Sequence, residues 1–321
     1  MNRVLKAFIA CLLVCVSLTG CAGGSAQAKD DNKVKVITTI RPIGSWAQEI
    51  AAGADDTDVQ VLMGNGSDLH NYQVTAEDIK KISECDLFIY VGGESDEWVN
   101  DVLKTAAHDG MRTINLLEVL GEGARVEEEK EGMQEDHDHE HEAEYDEHVW
   151  LSLRNAEVLC GVIADNLAEI NPAHAQTYRE NLARYRDELV GLDQEFSEAA
   201  KAGKTDTLLF ADRFPFLYFV HDYNLEYYAA FSGCSAETEA SFETVVFLAD
   251  KLNELNLDSV CIIESSDGTV AETVRSTAKR SECSIVTFDS MQSGMKDEDS
   301  AYTAAMRRNL AALKEALGVK E

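Results

Sequence analysis

The feature that most constrains this chain is a run of about 28 residues near its middle. Tyr178, Leu182, Tyr185, Leu189, Leu192 and Phe196 recur every three or four positions, the spacing of one buried face of an α-helix. Pro172 suits the first turn of such a helix. From Ala173 to Ala200 it would be about 42 Å long at a rise of about 1.5 Å per residue. A helix of that length can serve as a rigid rod shared by two domains. Its apolar seam contains tyrosines and covers few heptads, which argues against a coiled-coil dimer, so a monomer is expected.

Both flanks of the rod alternate strand and helix. Before it, Val34–Thr39, Asp58–Met63, Leu87–Val91 and Thr113–Leu116 read as strands, separated by helical patterns at Ile43–Gly53, Thr75–Ser83 and Glu94–Asp109. Thr75 heads its helix with Asp78 in the capping-box position. After it, strands at Leu208–Ala211, Glu226–Ala230, Ser259–Ile263 and Ile285–Phe288 alternate with helices at Pro215–His221, Phe242–Leu255, Thr269–Ser281 and Tyr302–Leu317. Alternation of this kind predicts parallel sheets with covering helices. The expected fold class is α/β: two lobes with mostly parallel sheets, joined by one long rigid backbone helix. The boundaries expected are 34–171 for the N-terminal lobe, 172–200 for the interlobe helix and 201–321 for the C-terminal lobe.

Residues 121–147 break the alternation. Gly121, Gly123 and Gly132 punctuate an acid-rich stretch that offers no apolar face to pack, so a mobile insertion is expected. Four of the eight histidines cluster at its end, His137, His139, His141 and His148. Imidazole is the usual neutral ligand for zinc and related ions, with carboxylates as harder companions, and the stretch reads as a metal address. His70 lies in the loop GNGSDLHNYQ just past a predicted strand, where open α/β sheets place binding groups. Asp212, Glu264 and Asp289 stand at strand ends in the second half.

The N-terminus predicts the compartment. Arg3 and Lys6 precede the apolar stretch Ala7–Leu18, which ends at LTGCAG. That is the pattern of a signal peptide over 1–20, too short for a stable transmembrane helix. Leu18 to Cys21 resembles a lipobox, in which Cys21 becomes the lipidated first residue of a membrane-tethered protein. Residues 21–33 then suit a flexible tether. Loss of Arg3 and Lys6 would take the formal net charge from −31 to −33, which repels nucleic acid. Beyond Cys21 there are five cysteines, Cys85, Cys160, Cys234, Cys261 and Cys283, none in CxxC spacing. Export permits disulfides. Cys261 with Cys283 is the first pairing to consider, and two separate buried thiols are the alternative.

Taken together these motifs resemble the substrate-binding lipoproteins of bacterial ABC transporters that import zinc or manganese. The family's first metal-ligand histidine sits in a loop matched here by GNGSDLHNYQVT, which implies His70, although Leu69 replaces the usual proline. The second sits in a motif matched by DEHVWL, which implies His148. The histidine-rich loop before it, with His137, His139 and His141, implies auxiliary metal binding. At the third position the family carries a histidine or glutamate, and this chain carries Arg213, which has no lone pair to give a metal. Asp212 could supply an oxygen instead, or serve as a salt bridge or turn cap. Arg213 could clamp Asp289 or Glu264 and so orient a ligand. The fourth ligand implied is Asp289, and Glu264 resembles a supporting family glutamate.

The resemblance implies capture of one divalent ion and delivery to an ABC permease with its ATPase, without a chemical step. Zinc is favoured by the histidine-rich loop, with manganese as the alternative. A surface adhesin that has lost transport is a further reading, prompted by Arg213. A metallohydrolase is disfavoured, since neither HExxH nor a G-x-S-x-G elbow is present.

Overall fold

The computed structural model describes residues 33–64, 67–134, 144–235, 239–293 and 301–320. Residues 34–321 form one compact unit. In the first half, β1 (Val34–Thr38), β2 (Thr57–Val61), β3 (Leu87–Tyr90) and β4 (Arg112–Asn115) make a sheet of order β2-β1-β3-β4. In the second, β5 (Thr207–Phe214), β6 (Glu226–Ser232), β7 (Ser259–Ile263) and β8 (Ser284–Phe288) repeat the pattern as β6-β5-β7-β8. Every pairing is parallel. Parallel sheets need both faces covered, and the continuous burial of β3 and β7 meets that need.

The covering helices of the first half are α1 (Arg41–Ala51), α2 (Ala76–Ser83), α3 (Glu97–Ala106), α4 (Leu116–Leu120) and α5 (Leu153–Ile170). The rod is α6 (Ala175–Ala202), and its first turn over Pro172–His174 is a 3-10 turn. In the second half follow α7 (Leu217–Tyr223), α8 (Phe242–Glu254), α9 (Thr269–Thr277) and α10 (Tyr302–Ala316). Among the described residues no helix is long and apolar enough to cross a membrane.

The rod buries Tyr178, Tyr185, Leu189, Leu192 and Phe196, five of the six periodic residues of the sequence, and the sixth, Leu182, is half-buried. It packs against α1 and α5 on one side and α10 on the other. Asn181 fixes its register by donating from Nδ2 to the carbonyls of Ile50 (2.9 Å) and Ala52 (2.7 Å) at the end of α1. A second joint holds the halves together. Tyr302, at the start of α10, stands edge-to-face against Trp46 of α1 with ring centroids 5.2 Å apart. Its hydroxyl donates to the Trp150 carbonyl at 2.7 Å. One hydrophobic core therefore runs from Val36 through Trp46, Tyr178 and Tyr302 to Leu317.

Three details differ from the sequence reading. Residues 121–147 do pack where they are described: the backbone N–H of Arg125 donates to the Tyr218 hydroxyl (3.0 Å), and that of Gln134 to the Ala230 carbonyl (2.9 Å). Backbone groups, not an apolar face, make those ties, so hydrophobic periodicity gave no sign of them. All five described cysteines are free thiols, so the Cys261–Cys283 pairing is not formed. The β7–β8 register sets Cys261 opposite Val286, and the two side chains pack in different cores on opposite sides of the sheet. Finally, β5 runs three residues past Ala211, through a register shift between Phe210 and Arg213.

Candidate metal centre

Parallel strands end at one edge, and loops from that edge carry the site residues. His70 follows β2 in a 3-10 turn, Leu69–Asn71, whose cap is Asp68: its Oδ1 accepts the His70 backbone N–H at 3.1 Å. His148 stands just before α5 and is fully buried. Its neighbour Trp150 donates from Nε1 to the Ser290 carbonyl at 2.8 Å, which draws the loop after β8 against it. The two Nε2 atoms face each other at 3.2 Å. Two nitrogens bound to one tetrahedral zinc at about 2.05 Å each would be about 3.3 Å apart. The rings are thus already at the spacing of two ligands of one ion.

Each ring turns its other nitrogen outward to an oxygen. His148 Nδ1 lies 3.1 Å from Asp146 Oδ1, and His70 Nδ1 lies 2.9 Å from Ser95 Oγ. With a cation at the centre, both Nδ1–H groups would donate outward and both Nε2 lone pairs would point in, as outer partners usually arrange for metal-bound histidines. Glu147 supports this geometry. Its Oε1 accepts the Ser95 backbone N–H at 2.8 Å, and its Oε2 lies 3.7 Å from His70 Nδ1 without a hydrogen bond. Gly93 makes room for it: its φ is +80°, and an added Cβ would come within 2.4 Å of Glu147 Oε1.

A third donor joins them from the second half. Cys234 lies in the loop after β6, and its Sγ and the two imidazole nitrogens lie within 4.8 Å of one another. Gly233 permits the approach, since a Cβ there would press on the Phe214 carbonyl at 2.9 Å and on the His148 ring at 3.2 Å. The backbone N–H of Cys234 donates to Glu127 Oε1 at 3.1 Å. Gln292, 2% exposed, sets Oε1 at 2.9 Å from His148 Nε2, and its own Nε2 has no partner among the described residues.

Burial first, then the neighbouring His148, holds His70 down to about 3, so it is neutral at physiological pH. Burial alone would lower His148 as well, but Asp146 and the nearby Glu147 and Glu127 raise it above its ordinary value. Before a cation enters, His148 can thus hold a proton directed at Gln292 Oε1. Burial pushes Glu147 up to about 7, partly opposed by its bonds to Ser95. Burial, reinforced by Glu127, Asp146 and Glu147, keeps the Cys234 thiol protonated before a cation enters.

Of the four ligands expected, the structure brings His70 and His148 together and directs Asp212 and Asp289 elsewhere. Asp212 accepts the backbone N–H of Arg213 (2.8 Å) and of Ile263 (3.3 Å), closing the end of β5. Asp289 pairs with Arg308 at 2.7 Å and accepts the Met291 N–H at 3.0 Å. Arg213 clamps neither Asp289 nor Glu264: it bonds Asp68 at 3.1 Å, reaching from the second lobe to the cap of the His70 turn. Extension of β5 through residue 213 is what carries it there. Glu264 accepts from the Ser290 N–H (2.7 Å) and hydroxyl (2.9 Å) and from Ser293 (3.0 Å), so it shapes the turn that carries Gln292. His137, His139, His141 and Cys21 lie outside the described residues. Cys234, Gln292 and Glu147 were missed; that Cys234 and Gln292 lie within a few residues of strand ends was the one available signal.

Comparison with known proteins follows the same line. The family described as "Zinc-uptake complex component A periplasmic" (ZnuA) matches residues 36–316. The zinc-binding lipoprotein AdcA of Streptococcus pneumoniae is 28% identical over 297 residues, 91% of this chain and 57% of AdcA. The chain thus spans a little over half the length of that relative. The high-affinity zinc uptake system protein ZnuA of Bacillus subtilis is 28% identical over 309 residues, 96% of this chain and 95% of that protein. Among solved structures, the periplasmic zinc binding protein TroA of Treponema pallidum superposes with a TM-score of 0.73 at 22% identity, covering 89% of this chain and 99% of TroA.

Proposed function

The chain belongs to the ZnuA family of zinc-uptake components, and from that premise we propose that it captures one divalent ion, zinc by preference, outside the cytoplasm and hands it to an ABC-type permease and its ATPase. The family is one of binding components and not of enzymes. The observation that carries the reading is the 3.2 Å approach of His70 and His148 Nε2 at the edge where the loops of both sheets meet. Lipidation of Cys21 would hold the protein at the membrane surface as a monomer. Asp212 and Asp289 could reach the ion only by leaving their present partners. The loop histidines His137, His139 and His141 would bind further ions more weakly and raise their concentration near the cleft.

A calorimetric zinc titration of the full-length chain, with and without residues 135–143, tests this. One tight equivalent is expected in both. Loss of all tight binding with the loop would remove the cleft site from consideration.

The pH dependence has a definite sign. His148 binds a proton more readily than a free histidine does, and zinc must displace that proton. Zinc affinity should therefore fall as pH falls, by about tenfold per unit below the His148 pKa for that proton alone. His70, neutral down to about 3, adds nothing to the slope above pH 4 or so. A dissociation constant that stays level from about pH 8 to about pH 5.5 would contradict the assignment of His148.

A further inference from the structure

We propose that Cys234 binds the captured ion as a thiolate, and that this sulfur sets the preference of the site for zinc over manganese. The inference rests on the capture function above and concerns which atom gives the site its selectivity.

Charge balance is the first support. A divalent cation in a buried site needs anionic partners, because uncompensated buried charge is costly. His70 offers a neutral imidazole, Gln292 a neutral amide, and His148 a neutral imidazole once its proton is displaced. The carboxylates of Asp212 and Asp289 are held by backbone N–H groups and by Arg308. Among the described residues, the donor cluster contains no carboxylate, and Cys234 is its one group able to become an anion. The ion would then be ligated by two nitrogens and one sulfur, with Gln292 Oε1 near the fourth position.

Local structure supplies the second support. Gly233 exists in a space that no side chain could share, and the Cys234 N–H is fixed by Glu127. The backbone N–H of Glu127 in turn donates to the Glu144 carbonyl at 2.9 Å. Residues 125–127 and 144–148, which flank the histidine-rich loop, thus hold the cysteine loop as well as His148. As the sulfur–metal bond forms, the thiol gives up its proton to solvent. Thiolate is a soft ligand that favours zinc, whereas manganese prefers carboxylate and water.

Cobalt(II) is the probe. The full-length chain, loaded with one equivalent, should show sulfur-to-cobalt charge-transfer absorption in the near ultraviolet together with the visible bands of a tetrahedral ion. Cys234→Ser should lose the charge-transfer band, still bind one equivalent, and lose about tenfold or more of its preference for zinc over manganese in competition. The wild-type spectrum stands independently of whether the variant folds. One bound cobalt without sulfur absorption, or unchanged zinc-to-manganese preference in Cys234→Ser, would overturn the thiolate and leave the capture function intact. No stoichiometric cobalt or zinc in the wild type would overturn both.

Discussion

His148→Ala is expected to weaken binding of the single zinc ion by roughly a hundredfold to a thousandfold. The magnitude follows from sharing an apparent zinc binding energy of roughly 10–16 kcal/mol among about four ligands, about 2.5–4 kcal/mol each. His148 is the ligand with least freedom to be replaced. Its ring is fully buried, its Nδ1 is held by Asp146, and Trp150 beside it is bound to the loop that carries Gln292. Of the other described histidines, His70 already faces the ion, and His108, His174 and His221 are engaged by the Cys85 carbonyl, Asp56 and Glu128. Removing the ring also leaves Asp146 without its side-chain partner, so a loss of stability accompanies the loss of binding. His148→Gln, which keeps bulk and a hydrogen-bonding end, separates the two. It should recover the melting temperature of the ion-free protein more than it recovers zinc affinity. Isothermal titration and thermal unfolding of both variants are the measurements, and a His148→Ala protein that binds zinc within about threefold of wild type would sink the site.

How much of this could be read from the chain depends on how local the signal is. The parallel sheets were legible because burial on both faces leaves short β-branched runs between helical periods. The rod was legible because six residues keep helical phase over its length. Its start was placed two residues early, since Pro172 opens a 3-10 turn instead of the α-helix itself. The small helix at Leu116–Leu120 was missed because five residues give no period to measure.

The site divides in the same way. His70 and His148 sit in contiguous motifs, so sequence alone points to them. Cys234 owes its place to β6 ending beside His148 and to Gly233 allowing contact, and neither is visible without the register. The reading of Asp289 located the strand end correctly but could not see Arg308, nineteen residues on and nearly two turns inside α10, reaching back to it. Cys261 and Cys283 looked like neighbours because their strands are neighbours. Alternation of side chains across the sheet separates them. In each case the missing information is which face a residue takes after the chain has turned, and no local pattern holds that.

Arg213→Ala is expected to lower the stability of the ion-free protein by about 2–3 kcal/mol while leaving zinc affinity within about tenfold of wild type. Removing one partner of a well-buried ion pair costs roughly 3–5 kcal/mol, and partial solvation of Asp68 reduces that figure. The side chain of Arg213 is 10% exposed and that of Asp68 19%. Asp68 caps the turn that presents His70, so the pair ties the second lobe to one of the two histidines without touching the ion. Its charge also helps to hold His70 in the neutral form, so the variant should bind zinc less well at acid pH than wild type does. Loosening the His70 turn weakens binding, whereas removal of a cation near the ion favours zinc, which is why the net change in affinity is small. A double-mutant cycle with Asp68→Asn, followed by urea unfolding in the presence of a chelator, isolates the pair. If the two substitutions destabilise additively, the contact carries no coupling and Arg213 is not a latch. If Arg213→Ala instead abolishes zinc binding while the apo protein melts unchanged, the residue acts on the ion itself, against the chemistry of a guanidinium.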